Sequence, residues 1–151
     1  DRVILASVKA VKDLAESKDI EIKTNLMTDP PLVNMDFGNL KIALFNILQN
    51  SVEAIAKKGE IKIETLLADD RTMIIRITDN GVGIPEDEIR KIFNPFQTSK
   101  FEGAGLGLTI SYRIIQDHGG DIEVKSSKGK GTVVTIRLKP AQAPQAKVSE
   151  A

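Results

Sequence analysis

Cysteine and tryptophan are absent from this chain of 151 residues, and histidine and tyrosine occur once each. Without cysteine there is no disulfide framework, no thiolate zinc site and no cysteine nucleophile, and a lone histidine rules out a His-rich metal centre. Charge of one sign is missing too. The 21 Lys and Arg offset 21 Asp and Glu, so the chain lacks the electrostatic footprint of a dedicated nucleic-acid or anionic-membrane binder, with local basic contacts left open. No apolar run exceeds four residues, as at Ile42, Ala43, Leu44 and Phe45, far below the roughly 20 that a spanning helix needs. The chain therefore reads as soluble, with one core of ordinary domain size. It opens on Asp1 rather than Met, which reads as a segment of a longer protein.

Along residues 3–16 the apolar positions Ile4, Val8, Val11, Leu14 and Ala15 recur every three or four residues, the period of an amphipathic helix. Ile20, Ile22, Thr24 and Leu26 alternate with polar residues, so 19–26 reads as a half-buried strand that Pro30-Pro31 ends. A short strand is expected at 32–35. Asp36 suits the N-cap of a long helix running to about residue 58, where Gly59 supplies the stop and Leu40, Ala43, Leu44, Ile47, Leu48, Ala54 and Ile55 form the core face. Strands at 60–67 and 72–78, joined by Ala68-Asp69-Asp70-Arg71, predict an antiparallel hairpin. Pro85, Glu86, Asp87 and Glu88 open a short helix to about residue 93. The stretch 94–103 has no periodicity and reads as a mobile loop, and 105–118 is helical in pattern up to Gly119-Gly120. Strands at 121–126 and 132–138 flank a Lys128-Gly129-Lys130-Gly131 turn, and the tail after Pro140 has little to bury and is expected to be disordered. Hairpinned strands interleaved with helices predict an α+β two-layer sandwich, a mixed sheet with helices on one face.

Three features point to chemistry. On the long helix Asn46, Asn50, Glu53 and Lys57 fall at spacings of four, three and four, which makes one stripe. A solvated face explains many such stripes. Asn is a poor helix former, however, so two of them one turn apart ask for a local use, and an amide oxygen suits Mg²⁺ when phosphates and waters complete the octahedron. The segment Asp79-Asn80-Gly81-Val82-Gly83-Ile84 follows a strand. It suits an ordinary tight turn, or a site where glycines admit a flat ligand while the Asp79 carboxylate accepts from an exocyclic amine. Adenine offers that amine, whereas guanine sets a carbonyl there against the charge. Finally, Gly103-Ala104-Gly105-Leu106-Gly107-Leu108 opens a helix and exposes backbone N–H groups suited to phosphate. It fits neither the dinucleotide fingerprint nor the P-loop pattern.

Taken in order, "NILQNSVEA", "DNGVGI", "IFNPF", "GAGLGL" and "KGKGT" closely resemble the N, G1, F, G2 and G3 boxes of the ATP-binding domain of sensor histidine kinases. That family belongs to a superfamily with gyrase B, Hsp90 and MutL. The resemblance covers about residues 20–138 and implies a sandwich of a mixed, mostly antiparallel sheet against three helices, with a flexible lid over ATP. By position, Asn50 resembles the Mg²⁺ ligand and a catalytic residue, and Asn46 its neighbour near the phosphates. Asp79 resembles the adenine-binding carboxylate, Gly81, Gly83 and Ile84 the wall beside the base, and Thr132 the hydroxyl supporting Asp79. Gly103, Gly105, Leu106, Gly107 and Leu108 resemble the phosphate-binding start of the helix after the lid. The lid would span 97–103, anchored by Phe93 and Phe96, which also suit purely structural roles. Lys100 reads either as a surface lysine or as a lid cation that neutralises the terminal phosphate, with Lys57 as a further contact on the stripe.

Where hydrolysing superfamily members carry Glu as the base on water, this chain carries Asn46, so efficient hydrolysis is not expected. Glu53-Ala54 resembles the nitrogen-regulation kinases in particular. The single His118 lies thirteen helical residues beyond Gly105, roughly 20 Å from the phosphates, so it reads as a helix C-terminal histidine and not as the phosphoacceptor. The resemblance implies a kinase domain that takes Mg-ATP and phosphorylates a His on a separate dimerising helical domain, from which a response regulator receives the phosphoryl group. It implies a cytoplasmic, monomeric domain of a homodimeric parent, soluble or membrane-anchored. Residues 1–18 would be the end of the phosphoacceptor hairpin or a linker, 19–139 the catalytic domain and 140–151 the tail. An anti-sigma-type serine kinase and a non-catalytic nucleotide sensor share the same fold.

Overall fold

In the computed structural model the described residues are 1–92 and 104–142. The elements in chain order are α1 (Arg2–Ser17), β1 (Ile20–Asn25), α2 (Phe37–Ala54), β2 (Gly59–Leu67), β3 (Met73–Asp79), α3 (Glu86–Ile92), α4 (Ala104–Asp117), β4 (Asp121–Ser126) and β5 (Thr132–Leu138). One five-stranded sheet runs β1-β2-β3-β5-β4. Only β1 and β2 are parallel, the other pairs being antiparallel. The sheet is therefore mixed and mostly antiparallel, as the hairpin spacing predicts.

Strand register builds the core in rows. Ile63, Ile77, Val134 and Val124 lie side by side across four strands, and Thr65, Ile75, Ile136 and Ile122 form the next row. All eight are buried, because a period of two sends alternate side chains to one face. Each buried isoleucine contributes roughly 1.5–3 kcal/mol by leaving water. The helices α1, α2 and α4 supply the other half of this core through Ile4, Val11 and Ala15, through Leu40, Leu44, Ile47, Leu48 and Val52, and through Leu108 and Ile115. Helix α1 thus shares the core of the segment expected to form the catalytic domain. The opposite sheet face carries ion pairs such as Lys23–Glu60, Lys62–Glu64 and Arg137–Glu123, partly or fully solvated pairs that add little stability.

Local chemistry sets the helix ends. Asp36 caps α2 by accepting the Asn39 N–H at 2.8 Å, and α4 stops as Gly119 turns to φ +73° and the Gly120 N–H bonds the Ile115 carbonyl. His118 sits in that last turn with Nδ1 2.7 Å from the Ile114 carbonyl. Ser111, fully buried on α4, donates to the Ala43 carbonyl of α2 at 3.0 Å, so the two helices are bonded as well as packed.

Two expectations need correction. Helix α2 ends at Ala54, four residues short of the sequence estimate, because Ile55 is extended and the Lys18 ammonium takes the Val52 and Ile55 carbonyls, each at 3.1 Å. Gly59 is not the helix stop but the first residue of β2, opposite Ile20. The expected strand at 32–35 is reduced to a single bridge between Val33 and Pro140, beside a bond from the Ala141 N–H to the Leu32 carbonyl at 2.7 Å. Pro140 and Ala141 are therefore tied to the fold, while 143–151 lie outside the described residues.

Candidate nucleotide site

The row at one end of the sheet differs from the others in chemistry. In register it reads Ile61, Asp79, Thr132 and Ser126, on the same face as the isoleucine rows. Asp79 and Thr132 are both buried, at 5% and 8% exposure, which is unusual for a carboxylate. Burial raises the Asp79 pKa above its ordinary value, while hydrogen bonds from the Gly81 N–H, the Ser51 side chain and the Thr132 N–H pull it back. The Gly81 bond, to Oδ1, measures 2.9 Å. Ser51 is buried on α2 and directly follows Asn50, so the amide stripe and the carboxylate meet at the same end of the sandwich.

The turn after Asp79 is braced on two sides. The Val82 N–H bonds the Ala54 carbonyl at 2.9 Å, and the Gly129 N–H bonds the Val82 carbonyl at 2.6 Å. A Cβ on Gly81 would stand 2.7 Å from the Ala54 carbonyl oxygen, and one on Gly83 would stand 2.0 Å from that of Ser127. Gly83 also needs φ +73°. These glycines therefore let the turn close on α2 and on the 127–131 turn, a packing purpose beside the ligand approach expected of them. Gly131, with φ +81°, has the same purpose against the Asp79 backbone, where a Cβ would stand 2.0 Å from the carbonyl oxygen. On the far side the Ile84 N–H bonds Ser126 Oγ at 2.7 Å, and Ser126 Oγ lies 2.8 Å from Thr132 Oγ1.

Of the expected site residues, Asp79, Gly81, Gly83, Ile84 and Thr132 come together around this row. Asn46 and Asn50 are half-buried on α2, whereas Glu53 is exposed. Lys57 leaves the stripe, because α2 has ended and the lysine sits exposed in the following turn. Gly105, Leu106 and Gly107 lie in the first turns of α4, and Leu108 is buried there. Phe93, Phe96, Lys100 and Gly103 lie outside the described residues. Among the described residues no three His, Cys, Asp or Glu cluster as a metal site. The Asn50 and Asn46 side chains on α2 carry amide oxygens, a donor type that fits Mg²⁺ held mainly by phosphate and water oxygens.

Sequence reasoning missed Lys18, Ser51 and Ser126. The two serines carried a signal: Ser51 falls on the apolar face of α2 beside Val52, and Ser126 continues the Ile122 and Val124 alternation. A polar group on a buried face requires a partner.

The profile of the family described as histidine kinase-, DNA gyrase B- and HSP90-like ATPase matches residues 35–142. The chain belongs to that family. Within it the chain is similar to the catalytic domains of histidine kinases. It is 37% identical over 136 residues to the sensor histidine kinase ZraS of Salmonella typhimurium, covering 90% of this chain and 29% of that protein. Among solved structures, the catalytic domain of histidine kinase ThkA superposes with a TM-score of 0.80 at 28% identity, over 92% of this chain and 91% of that one. Full-length ShkA in complex with AMPPNP superposes at 0.79 and 26%, over 94% of this chain and 30% of that one. The chain spans less than a third of the length of the curated relatives it matches.

Proposed function

We propose that this histidine kinase domain binds Mg-ATP with the adenine against the Asp79–Thr132 row and passes the γ-phosphoryl group to a histidine on a separate helical dimerisation domain. The observation that carries the reading is the buried Asp79 carboxylate, bonded by Gly81 and Ser51 and opposite Thr132. An acceptor so placed matches a 6-amino group, and the ShkA complex with an ATP analogue supports a nucleotide on this fold. Asn50 and Asn46 would hold the metal and phosphates from α2. Backbone N–H groups among Gly105, Leu106, Gly107 and Leu108 would receive the phosphates in the first turns of α4, with Gly103 and Lys100, both outside the described residues, as further contacts. Mg²⁺, when bound, supplies charge neutralisation on the phosphate oxygens. The chain's own residues contribute orientation and shielding from water rather than bond chemistry. With Asn46 in place of a carboxylate base, water is not activated, so transfer dominates over hydrolysis. A response regulator aspartate then receives the phosphoryl group, in a homodimeric parent on the cytoplasmic side.

The test is to add a phosphoacceptor helical hairpin in trans with labelled ATP. Acid-labile, base-stable phosphate on the hairpin is expected, with none on this chain alone. Acid-stable phosphate would point to a serine kinase, and binding without transfer to a sensor module.

A further inference from the structure

Ser126 ends β4, and its hydroxyl oxygen has three neighbours at hydrogen-bond distance. The Ile84 nitrogen lies at 2.7 Å, the Gly131 carbonyl oxygen at 2.8 Å and Thr132 Oγ1 at 2.8 Å. A serine hydroxyl carries one proton and two lone pairs. The Ile84 N–H can only donate and the Gly131 carbonyl can only accept. Ser126 therefore gives its proton to Gly131 and accepts from Ile84, and its contact with Thr132 closes only if Thr132 is the donor. That commitment leaves Thr132 Oγ1 as an acceptor with no proton to offer. Its neighbour on β3 is Asp79, likewise an acceptor when ionised.

We propose that Ser126 is a specificity-determining positioning residue: by taking the Thr132 proton it makes the Asp79–Thr132 pair present acceptors only, which favours a 6-amino purine over a 6-oxo purine. The inference rests on the reading of this row as the purine site and adds a residue that the reading does not use. A 6-oxo purine sets its carbonyl oxygen against these acceptors, and its single N1 proton can serve only one of them. Were Ser126 unable to hold the Thr132 proton, that hydroxyl would turn and donate to the 6-oxo group, relieving part of the penalty. A purely structural role for Ser126, bracing the Ile84 and Gly131 turns, would instead weaken both purines alike.

The experiment titrates ATP and inosine triphosphate, whose bases differ at position 6 and in the N1 proton that follows from it, into the wild type, Ser126→Ala, Ser126→Cys and Ser126→Thr. The cysteine variant keeps the side-chain size with a much weaker hydrogen bond, so it tests the relay even if the alanine variant folds poorly. The preference for ATP is expected to fall at least about threefold in the alanine and cysteine variants. It should be retained in the threonine variant, which keeps the hydroxyl. Equal losses for the two nucleotides, with the preference unchanged, would overturn the proposal while leaving the purine site standing. A folded wild type that takes up neither nucleotide overturns the purine-site reading and this inference with it, and that failure shows before any variant is compared.

Discussion

Burial of Asp79 works against its own charge. Because its pKa in the fold is raised by desolvation, protonation is easier in the native state than in the unfolded chain. The stability it contributes is full below the ordinary carboxylate range and is lost as pH rises through the raised value. Asp79→Asn, neutral at every pH, should therefore leave Tm at about pH 7 unchanged or higher, and its advantage over the wild type should vanish by about pH 4 in thermal scans. ATP affinity should show the opposite sign, weakening as pH falls through the same value, because the protonated carboxyl no longer accepts freely. The glycines of the 127–131 turn separate two effects. Gly131→Ala meets the Asp79 carbonyl, whereas a Cβ on Gly129, at φ +82°, meets nothing within 4 Å. Denaturant unfolding should show Gly131→Ala losing at least about 2 kcal/mol and Gly129→Ala about 1 kcal/mol, the cost of the backbone conformation alone. The two asparagines were legible because they break the pattern of their helix, Asp79 because it opens a glycine-rich turn, and Thr132 only through the resemblance of the motifs. Ser126 signalled only a polar group on a buried face; its partners appear when the 121–126 and 132–138 strands are put in register.

At the scale of elements, the end of α2 shows what local reading omits. Gly59 looked like a helix stop, yet the helix ends where Lys18, 34 residues upstream of Val52, binds its last carbonyls. A cation at the negative end of the helix dipole is favourable there, and the bonds also satisfy carbonyls with no partner inside the helix. The same junction holds the next loop, for the Lys18 and Asp19 carbonyls accept the Lys58 and Gly59 N–H groups. That loop begins one residue after Ala54, which braces the purine-side turn through Val82. Lys18→Met should cost about 1–2 kcal/mol in denaturant unfolding, with Lys18→Arg recovering part of it. An unchanged midpoint for Lys18→Met would remove Lys18 from the cap. The strands and the amphipathic helices were legible from hydrophobic period alone, because their spacing is a local property and their burial follows from it.

For the whole molecule, one core joins α1, α2 and α4 to the sheet, and the polar row lies at its end rather than in a separate cleft-forming unit. That placement is how a neutral chain with one histidine and no cysteine would carry the proposed nucleotide site, whose chemistry would rest on a carboxylate, amides, hydroxyls and backbone groups held by packing. The family match and the superposition on histidine kinase catalytic domains agree with the motif order along the chain. What motif order did not convey was the support behind the site, which comes from contacts between residues distant in sequence. The most direct test of the central claim is calorimetric titration of Mg-ATP into the wild type and Asp79→Asn, each with its Tm measured in parallel. The wild type is expected to take up ATP, and Asp79→Asn to bind at least about tenfold more weakly without a lower Tm. Equal uptake by the two folded proteins would contradict the assignment of Asp79 to adenine.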